Sequence, residues 1–354
     1  MNKRCVFFIG TLNQGGAERV ISILTKHMAD AKEQVKIVLY YDEDPFYAIH
    51  PDVEIIRLER ETGTKGLLKN FFRLRKYIKE NADVLISFLA PFNIIAILAS
   101  LGLRKRVIVA DRNDPRHVPS NKIVRLARNF LYRFANGVVV QNTDNKNYFS
   151  KTVQKKSSVI FNPVDLGEKR GQALRTEKKK RIVSVGRLIK QKNQEMLLDA
   201  FAEIHGDFPE HILTIYGEGD YRATLENKIK EFGLEGFVEL PGSRKDVFDL
   251  ISDAELFVLS SNYEGMPNAL IEAMCLGLPV ISTAVSGTSD LIEDGLNGRV
   301  TEVGNKEQMV EAMREMISSE DMRKKCAENA VLINDKLEVK GVMSEWQKFI
   351  EEVR

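Results

Sequence analysis

Three cysteines in 354 residues, Cys5, Cys275 and Cys326, are too few and too scattered for a disulfide framework or a zinc site. A reducing compartment is the expected setting. Long apolar runs are missing as well. The longest, residues 92–103, falls short of the roughly 20 residues that cross a bilayer, and the run at 5–9 is too brief for the core of an export signal. The expected location is therefore the cytoplasm, with any membrane met from the side, at its inner face. No repeat of solenoid length occurs. Disorder is excluded by a composition that is 44% hydrophobic and 29% charged. The length exceeds what one hydrophobic core usually organises, so two domains are expected.

The net charge of +2 conceals a split. Residues 1–163 carry 27 Lys+Arg against 15 Asp+Glu, or +12, whereas residues 164–354 carry 25 against 35, or −10. A basic half suits an anionic partner such as phospholipid, a phosphorylated acceptor or nucleic acid. Attraction between the two halves accounts for it equally.

Short β-rich runs alternate with helical periodicity, the pattern of βα units around parallel sheets. In the first half strands are expected near 5–9, 35–41, 53–58, 83–88, 105–110, 137–141 and 157–161, with helices near 16–30, 65–80 and 120–135. Residues 162–180, which hold Pro163, Gly167, Gly171 and a charged run at 177–181, read as a linker. The βα rhythm then resumes at 182–185, 212–216, 256–259 and 280–281. The last helix, near 336–351, holds the sole tryptophan, Trp346.

Gly15 and Gly16 follow the first strand and open the first helix, where backbone approaches an anion easily; a tight turn explains the pair as well. Gly186 and Arg187 hold the corresponding place in the second half, with Lys192 five residues on. Arg187 and Lys192 together suit a pyrophosphate, and taken alone they suit a solvated basic turn. The most informative run extends from Glu264 through Gly265, Met266, Pro267 and Asn268 to Glu272 and Gly277. Pro267 starts a helix and Gly277 ends it, so Glu264 lies in the preceding loop and Glu272 about five residues inside, roughly 7–8 Å further along the axis. Two such carboxylates cannot share one atom but can hold opposite ends of one ligand, with amides of residues 266–268 facing negative charge between them.

This run resembles the EX7E motif of retaining GT-B glycosyltransferases of family 4, the glycosyltransferase group 1 family. The Gly15-Gly16 loop, the stretch from Ser184 to Lys192, Gly217 with Gly219, and Pro241 with Gly242 are similar to further motifs of that family, in the same order. The resemblance implies a GT-B fold, two Rossmann-like βαβ domains facing each other across a cleft. Residues 1–163 are the expected acceptor side, 164–335 the donor side, and 336–354 a helix crossing back to the first domain. It implies that Arg187 and Lys192 bind the donor diphosphate and stabilise its leaving charge, that Glu272 holds the ribose, and that Glu264 with residues 265–268 orients the sugar. Gly16 lets the first loop approach the diphosphate, and Gly186, Gly217 and Gly242 line the donor site. The implied reaction moves a sugar, with retention, from a nucleotide-diphosphate sugar, commonly UDP-linked, to a glycan or lipid-linked acceptor in cell-surface polysaccharide or oligosaccharide synthesis. No cofactor or metal is expected. Asp42-Glu43-Asp44 has the spacing of a metal motif but reads as an acidic loop.

The acceptor side is expected at Asp111, Arg112, Arg116 and His117, similar to a Glu-Arg-Asn-Asp-Pro variant among cell-surface polysaccharide transferases, and at Lys122 and Arg125 on the following helix. There Ile123, Ala127, Phe130, Leu131 and Phe134 share one face, while Lys122, Arg125, Arg128 and Arg133 form a basic arc opposite. A core-facing amphipathic helix and a surface docked on anionic lipid both fit that pattern, and Phe71 with Phe72 on the 65–80 helix are further candidate anchors. Rival readings are a nucleotide-sugar epimerase on the same fold and a non-catalytic protein binding an anionic ligand. No aromatic-interleaved motif accompanies the basic charge, so nucleic acid is not an expected partner.

Overall fold

The computed structural model describes residues 3–13, 15–58, 63–164 and 166–353, with side chains in the third stretch taken up from residue 66. The chain divides into two compact units, residues 1–163 with 338–354, and residues 164–337.

The first unit is built on seven parallel strands: β1 (Cys5–Ile9), β2 (Val35–Leu39), β3 (Glu54–Arg57), β4 (Val84–Phe88), β5 (Arg106–Ala110), β6 (Gly137–Val140) and β7 (Ser157–Val159). Their order in the sheet is β3-β2-β1-β4-β5-β6-β7. β1 and β4 are apolar or small throughout and fully buried, as strands covered on both faces must be. Cys5 pairs in register with Val35 on one side and Val84 on the other. Helix α1 (Gly16–Asp30) buries Val20, Leu24 and Met28 against one face, beside the final helix Val339–Glu352, which adds Val342, Met343, Trp346 and Ile350. Trp346 stacks on Phe88 with ring centroids 6.0 Å apart. Helices α2 (Gly63–Asn81), α3 (Ala90–Ser100) and α4 (Lys122–Leu131) lie on the other face, with α3 between its two neighbours. Their core is built from Leu74, Ile78, Ala96, Ile97 and Tyr132 over Phe8, Leu85 and Val109.

The second unit has six parallel strands: β8 (Lys179–Val185), β9 (Ile212–Tyr216), β10 (Val238–Gly242), β11 (Ala254–Leu259), β12 (Val280–Thr283) and β13 (Arg299–Thr301). Their order, β10-β9-β8-β11-β12-β13, reverses between β8 and β11. The helices Gln194–His205 and Lys306–Ser318 cover one face with Leu197, Phe201, Met309 and Met313.

The segment expected as a linker is largely part of this unit. Leaving aside Asp165, which lies outside the described residues, it buries Leu166 and Ala173, and the Gly171 N–H donates to the Cys275 carbonyl at 3.0 Å. The charged run at 177–181 enters β8 instead of a loop, because its lysines stay at the solvent-facing start of the strand while Ile182 and Val183 continue into the core.

Candidate functional site

In an open parallel sheet, ligands collect at the carboxyl ends of the strands where the strand order reverses. In the second unit that point lies beyond β8 and β11, and the loops leaving these two strands are laced together. The Asn262 N–H donates to the Gln191 carbonyl at 2.8 Å, and Asn262 Nδ2 to the Lys190 carbonyl at 3.0 Å. Ser260 Oγ donates to the Lys192 carbonyl at 2.9 Å. The loop after β8 winds through a short 3-10 turn, Lys190–Lys192, into the left-handed residue Asn193 (φ 48°), whose amide bonds Asn262 Oδ1 at 3.2 Å.

This lacing brings Lys192 Nζ to 2.6 Å from Glu264 Oε1. Ser261 Oγ donates to the same oxygen at 2.6 Å, and Gln191 Nε2, anchored on the Tyr263 carbonyl at 2.8 Å, lies 3.5 Å from Oε2. Glu264 is buried and Ser261 wholly so. Neither Ser261 nor Gln191 was expected from sequence. The readable signal was a hydroxyl placed just beyond a strand and three residues before the acid.

The helix Asn268–Leu276 begins directly after Pro267 and ends at Gly277 in the left-handed region (φ 83°). Glu272 is its fifth residue and is buried. The amides expected to face an anion need one revision. Pro267 has no N–H, and that of Asn268 donates to the Met266 carbonyl at 3.0 Å. The amides of Met266, Ala269 and Leu270 make no hydrogen bond among the described residues, so they form the positive end of this helix.

Three glycines floor the region. Gly186 follows β8 directly, under the Lys192 side chain, and its N–H donates to the Tyr216 carbonyl at 2.9 Å. Gly217 follows β9 with φ 153°, and a Cβ there would lie 2.0 Å from the Gly186 carbonyl oxygen, so only glycine fits. Its N–H donates to the carbonyl of Gly242, the last residue of β10, at 3.0 Å. Arg187 is exposed, and its guanidinium has no hydrogen-bond or ion-pair partner among the described residues. Together these residues offer two cations, unpaired amides and two buried carboxylates around close-packed backbone, a set suited to a phosphate-bearing polyol.

In the first unit, Gly15 is the extended N-cap of α1, and the carboxylate of Glu18 folds back so closely that a Cβ on Gly15 would overlap it. Asp42 and Asp44 each lie 3.3 Å from Arg57, which accounts for two acids of the loop at 42–44. Among the described residues no group of three or more His, Cys, Asp or Glu is placed to hold a metal.

Asp111 and Arg112 follow β5 and are both buried. Asp111 Oδ2 accepts from Tyr132 Oη at 3.1 Å and lies 3.5 Å from Arg128 Nη1; burial nonetheless raises its pKa above the usual carboxylate value. Arg112 donates to Asn162 Oδ1 at 2.9 Å and lies over the rings of Phe88 and Trp346. Burial pulls its pKa down to about 9. Arg116 and His117 are exposed, with His117 Nδ1 3.0 Å from Asp114 Oδ2. Lys122 is exposed, and Arg125 Nη1 donates to the Arg116 carbonyl at 2.6 Å.

The basic arc expected on α4 is broken. Arg128 is fully buried and donates to the carbonyls of Pro115 and Val118 at 2.8 and 2.7 Å, against the rings of Tyr148 and Phe149. An arginine on a helical wheel reads as solvated, and nothing local announced an aspartate 17 positions earlier as its partner.

Comparison with known proteins follows this division. Residues 166–332 match the family described as glycosyl transferases group 1, and residues 14–168 match glycosyltransferase family 4. A Campylobacter jejuni GalNAc-alpha-(1->4)-GalNAc-alpha-(1->3)-diNAcBac-PP-undecaprenol alpha-1,4-N-acetyl-D-galactosaminyltransferase is 30% identical over 357 residues, covering 98% of each chain. The amylovoran biosynthesis glycosyltransferase AmsD of Erwinia amylovora is 27% identical, covering 93% of this chain and 94% of its own. Among solved structures, Anabaena HepE in complex with UDP and glucose aligns with a TM-score of 0.82 at 21% identity, over 99% of this chain and 100% of that one. TarM aligns with a TM-score of 0.83 at 15% identity, over 99% of both chains.

Proposed function

Because this chain belongs to the group 1 glycosyltransferases of family 4, whose two-domain GT-B architecture it shares, we propose that it transfers an N-acetylhexosamine, with retention, from a UDP-linked donor to a polyprenyl-diphosphate glycan. The observation that carries this reading is Lys192 held 2.6 Å from Glu264 where the strand order of the second unit reverses. The activity that the Campylobacter relative's name states, in a protein 30% identical over 98% of each chain, supports the sugar and the acceptor class.

In this reading Lys192 and Arg187 carry the donor diphosphate, and the amides of Met266, Ala269 and Leu270 add donors that need no reorganisation as leaving charge develops. Lys192 exchanges its grip on Glu264 for a phosphate oxygen. Glu264, still held by Ser261, then accepts from hydroxyls of the transferred sugar and stabilises the oxocarbenium-like centre. Glu272 accepts from the ribose. The acceptor oxygen attacks the face from which diphosphate departs, and a diphosphate oxygen takes its proton. Arg116, His117, Lys122 and Arg125 are the proposed acceptor residues, with Asp111 and Arg112 supporting them from beneath. The positive charge in this scheme comes from the protein, and no metal takes part.

The test is a mass-spectrometric screen of nucleotide sugars against polyprenyl-diphosphate glycans, with a donor-only arm. A new hexosamine on the acceptor, α-linked by NMR, is the expected product. A β linkage removes the retaining mechanism, and an isomerised donor without acceptor assigns the fold to epimerisation instead.

A further inference from the structure

Helix α4 is oriented against the usual logic of an amphipathic helix. Its buried side holds Arg128, satisfied by Asp111 and by backbone carbonyls, while its apolar stripe faces solvent. Ile123 is 76% exposed, Leu126 69%, Phe130 54% and Phe134, just beyond the helix, 53%. Successive 100° steps put the first three within an arc of about 60°. Phe130 and Phe134 meet edge to face with centroids 5.7 Å apart, so the stripe has a formed aromatic end. Single exposed apolar residues are ordinary, but four in one row, two of them aromatic, require a partner.

The charge around the stripe identifies that partner. Between Asp114 and Asp144 there is no acidic residue, while Arg116, Lys122, Arg125 and Arg133 remain at or near the surface. The Arg133 guanidinium lies 5.4 Å from the centre of the Phe130 ring, as in cations that hold their charge at the level of an interfacial aromatic. A symmetric second copy would set this acid-free surface against itself. Among the described residues no helix is long and apolar enough to cross a membrane.

We propose that the outward stripe of α4 docks the protein on an anionic bilayer, with Ile123, Leu126, Phe130 and Phe134 entering the interface and the flanking cations meeting lipid phosphates. The inference deepens the lipid-linked acceptor reading and rests on it only for its purpose, since vesicle binding is measured without sugar transfer.

The experiment is co-sedimentation of the full chain with vesicles of phosphatidylcholine alone and of phosphatidylcholine with phosphatidylglycerol. It compares the parent with Ile123→Ser/Leu126→Ser/Phe130→Ser, whose exposed positions leave the fold intact by circular dichroism. The parent is expected on the anionic vesicles and the triple variant to bind about tenfold less or weaker still, while transfer to a short-chain, water-soluble prenyl-diphosphate acceptor stays at the parent rate. Arg133→Gln weakens binding by a smaller factor that vanishes at high salt. A parent that stays in the supernatant, a triple variant that binds like the parent, or binding indifferent to phosphatidylglycerol overturns the proposal. Light scattering that shows a dimer dissociated by the triple variant also overturns it and gives the face to a second copy. Failure of the soluble-acceptor assay with binding intact refutes the acceptor reading alone.

Discussion

The two units put charged residues at the ends of their central strands and treat them in opposite ways. Beyond β5, Asp111, Arg112 and Arg128 are sealed in with aromatic rings and amide side chains, and burial works against the charge of the first two. Beyond β8 and β11, Lys192 keeps some exposure and Arg187 more, and the buried Glu264 takes Lys192 as its cationic partner. Charges packed wholly out of reach of water cost too much to rearrange during a reaction, so the first set is architecture. A cation with one carboxylate partner and partial access to water can exchange that partner for a phosphate, so the second set is equipment for binding. Charge at a strand end is therefore not a signature of chemistry; the access of its cation to solvent separates the two uses.

The largest effect tests the architectural half. Arg128→Met removes one member of a buried pair and leaves Asp111 uncompensated, so it is expected to lower unfolding stability by about 3–5 kcal/mol in urea or guanidinium titrations. Adding Asp111→Leu is expected to recover much of that loss, because both desolvated charges are then gone. UDP affinity measured on whatever folds should stay near that of the parent. A single variant as stable as the parent would erase that distinction between the two units.

The opposite pattern is expected from the second unit. Lys192→Ala should cut kcat about 10²–10³-fold, the range seen when one preorganised donor to developing charge is removed, and leave thermal stability nearly unchanged. Ser261→Ala sharpens the point. It removes one hydrogen bond to an ionised group, worth roughly 1.5–3 kcal/mol, so a fall in kcat of about tenfold or somewhat more is expected with donor KM little altered. Ser261→Thr, which restores a hydroxyl, should recover part of the rate. A KM effect without a kcat effect would make Ser261 a binding residue and not a positioner of Glu264.

The same contrast explains how much was legible in advance. The strands of the first unit were readable, β1 and β4 most plainly, because a strand buried on both faces must be apolar or small along its whole length. The run from Glu264 to Gly277 was readable because Pro267 and Gly277 act on the backbone locally. What stayed hidden was long-range and polar. Arg128 looks solvated on a helical wheel, since the wheel does not contain Asp111; once that partner is present, α4 turns over and shows its apolar stripe to solvent. The linker was misread for a related reason. Its glycines and charges are loop-like, but Leu166 and Ala173 find a core supplied by residues far along the chain.

The smallest effect lies at the rim of the first sheet, where Asp83 provides the solvated counterpart of Asp111. Its carboxylate accepts from the Arg4 side chain at 2.9 and 3.2 Å and from the Arg4 N–H at 3.0 Å. These bonds hold its pKa down to about 2, below the ordinary 3.8. A carboxyl whose folded pKa lies below its unfolded one contributes stability that is complete above the unfolded value and is lost as pH falls through the folded one, so the window runs from about 4 down to about 2. Burial raises the pKa of Asp111, which therefore acts with the opposite sign: its ionisation opposes folding as pH rises. Asp83 and Arg4 are both more than a third exposed, so solvent screens the pair and its share is small. Denaturant midpoints of the parent and Asp83→Asn should differ slightly at pH 6, and the gap should narrow by pH 3. A gap that is constant across that range would mean the pair acts through packing and not through charge, and the contrast between rim and interior would then rest on Asp111 alone.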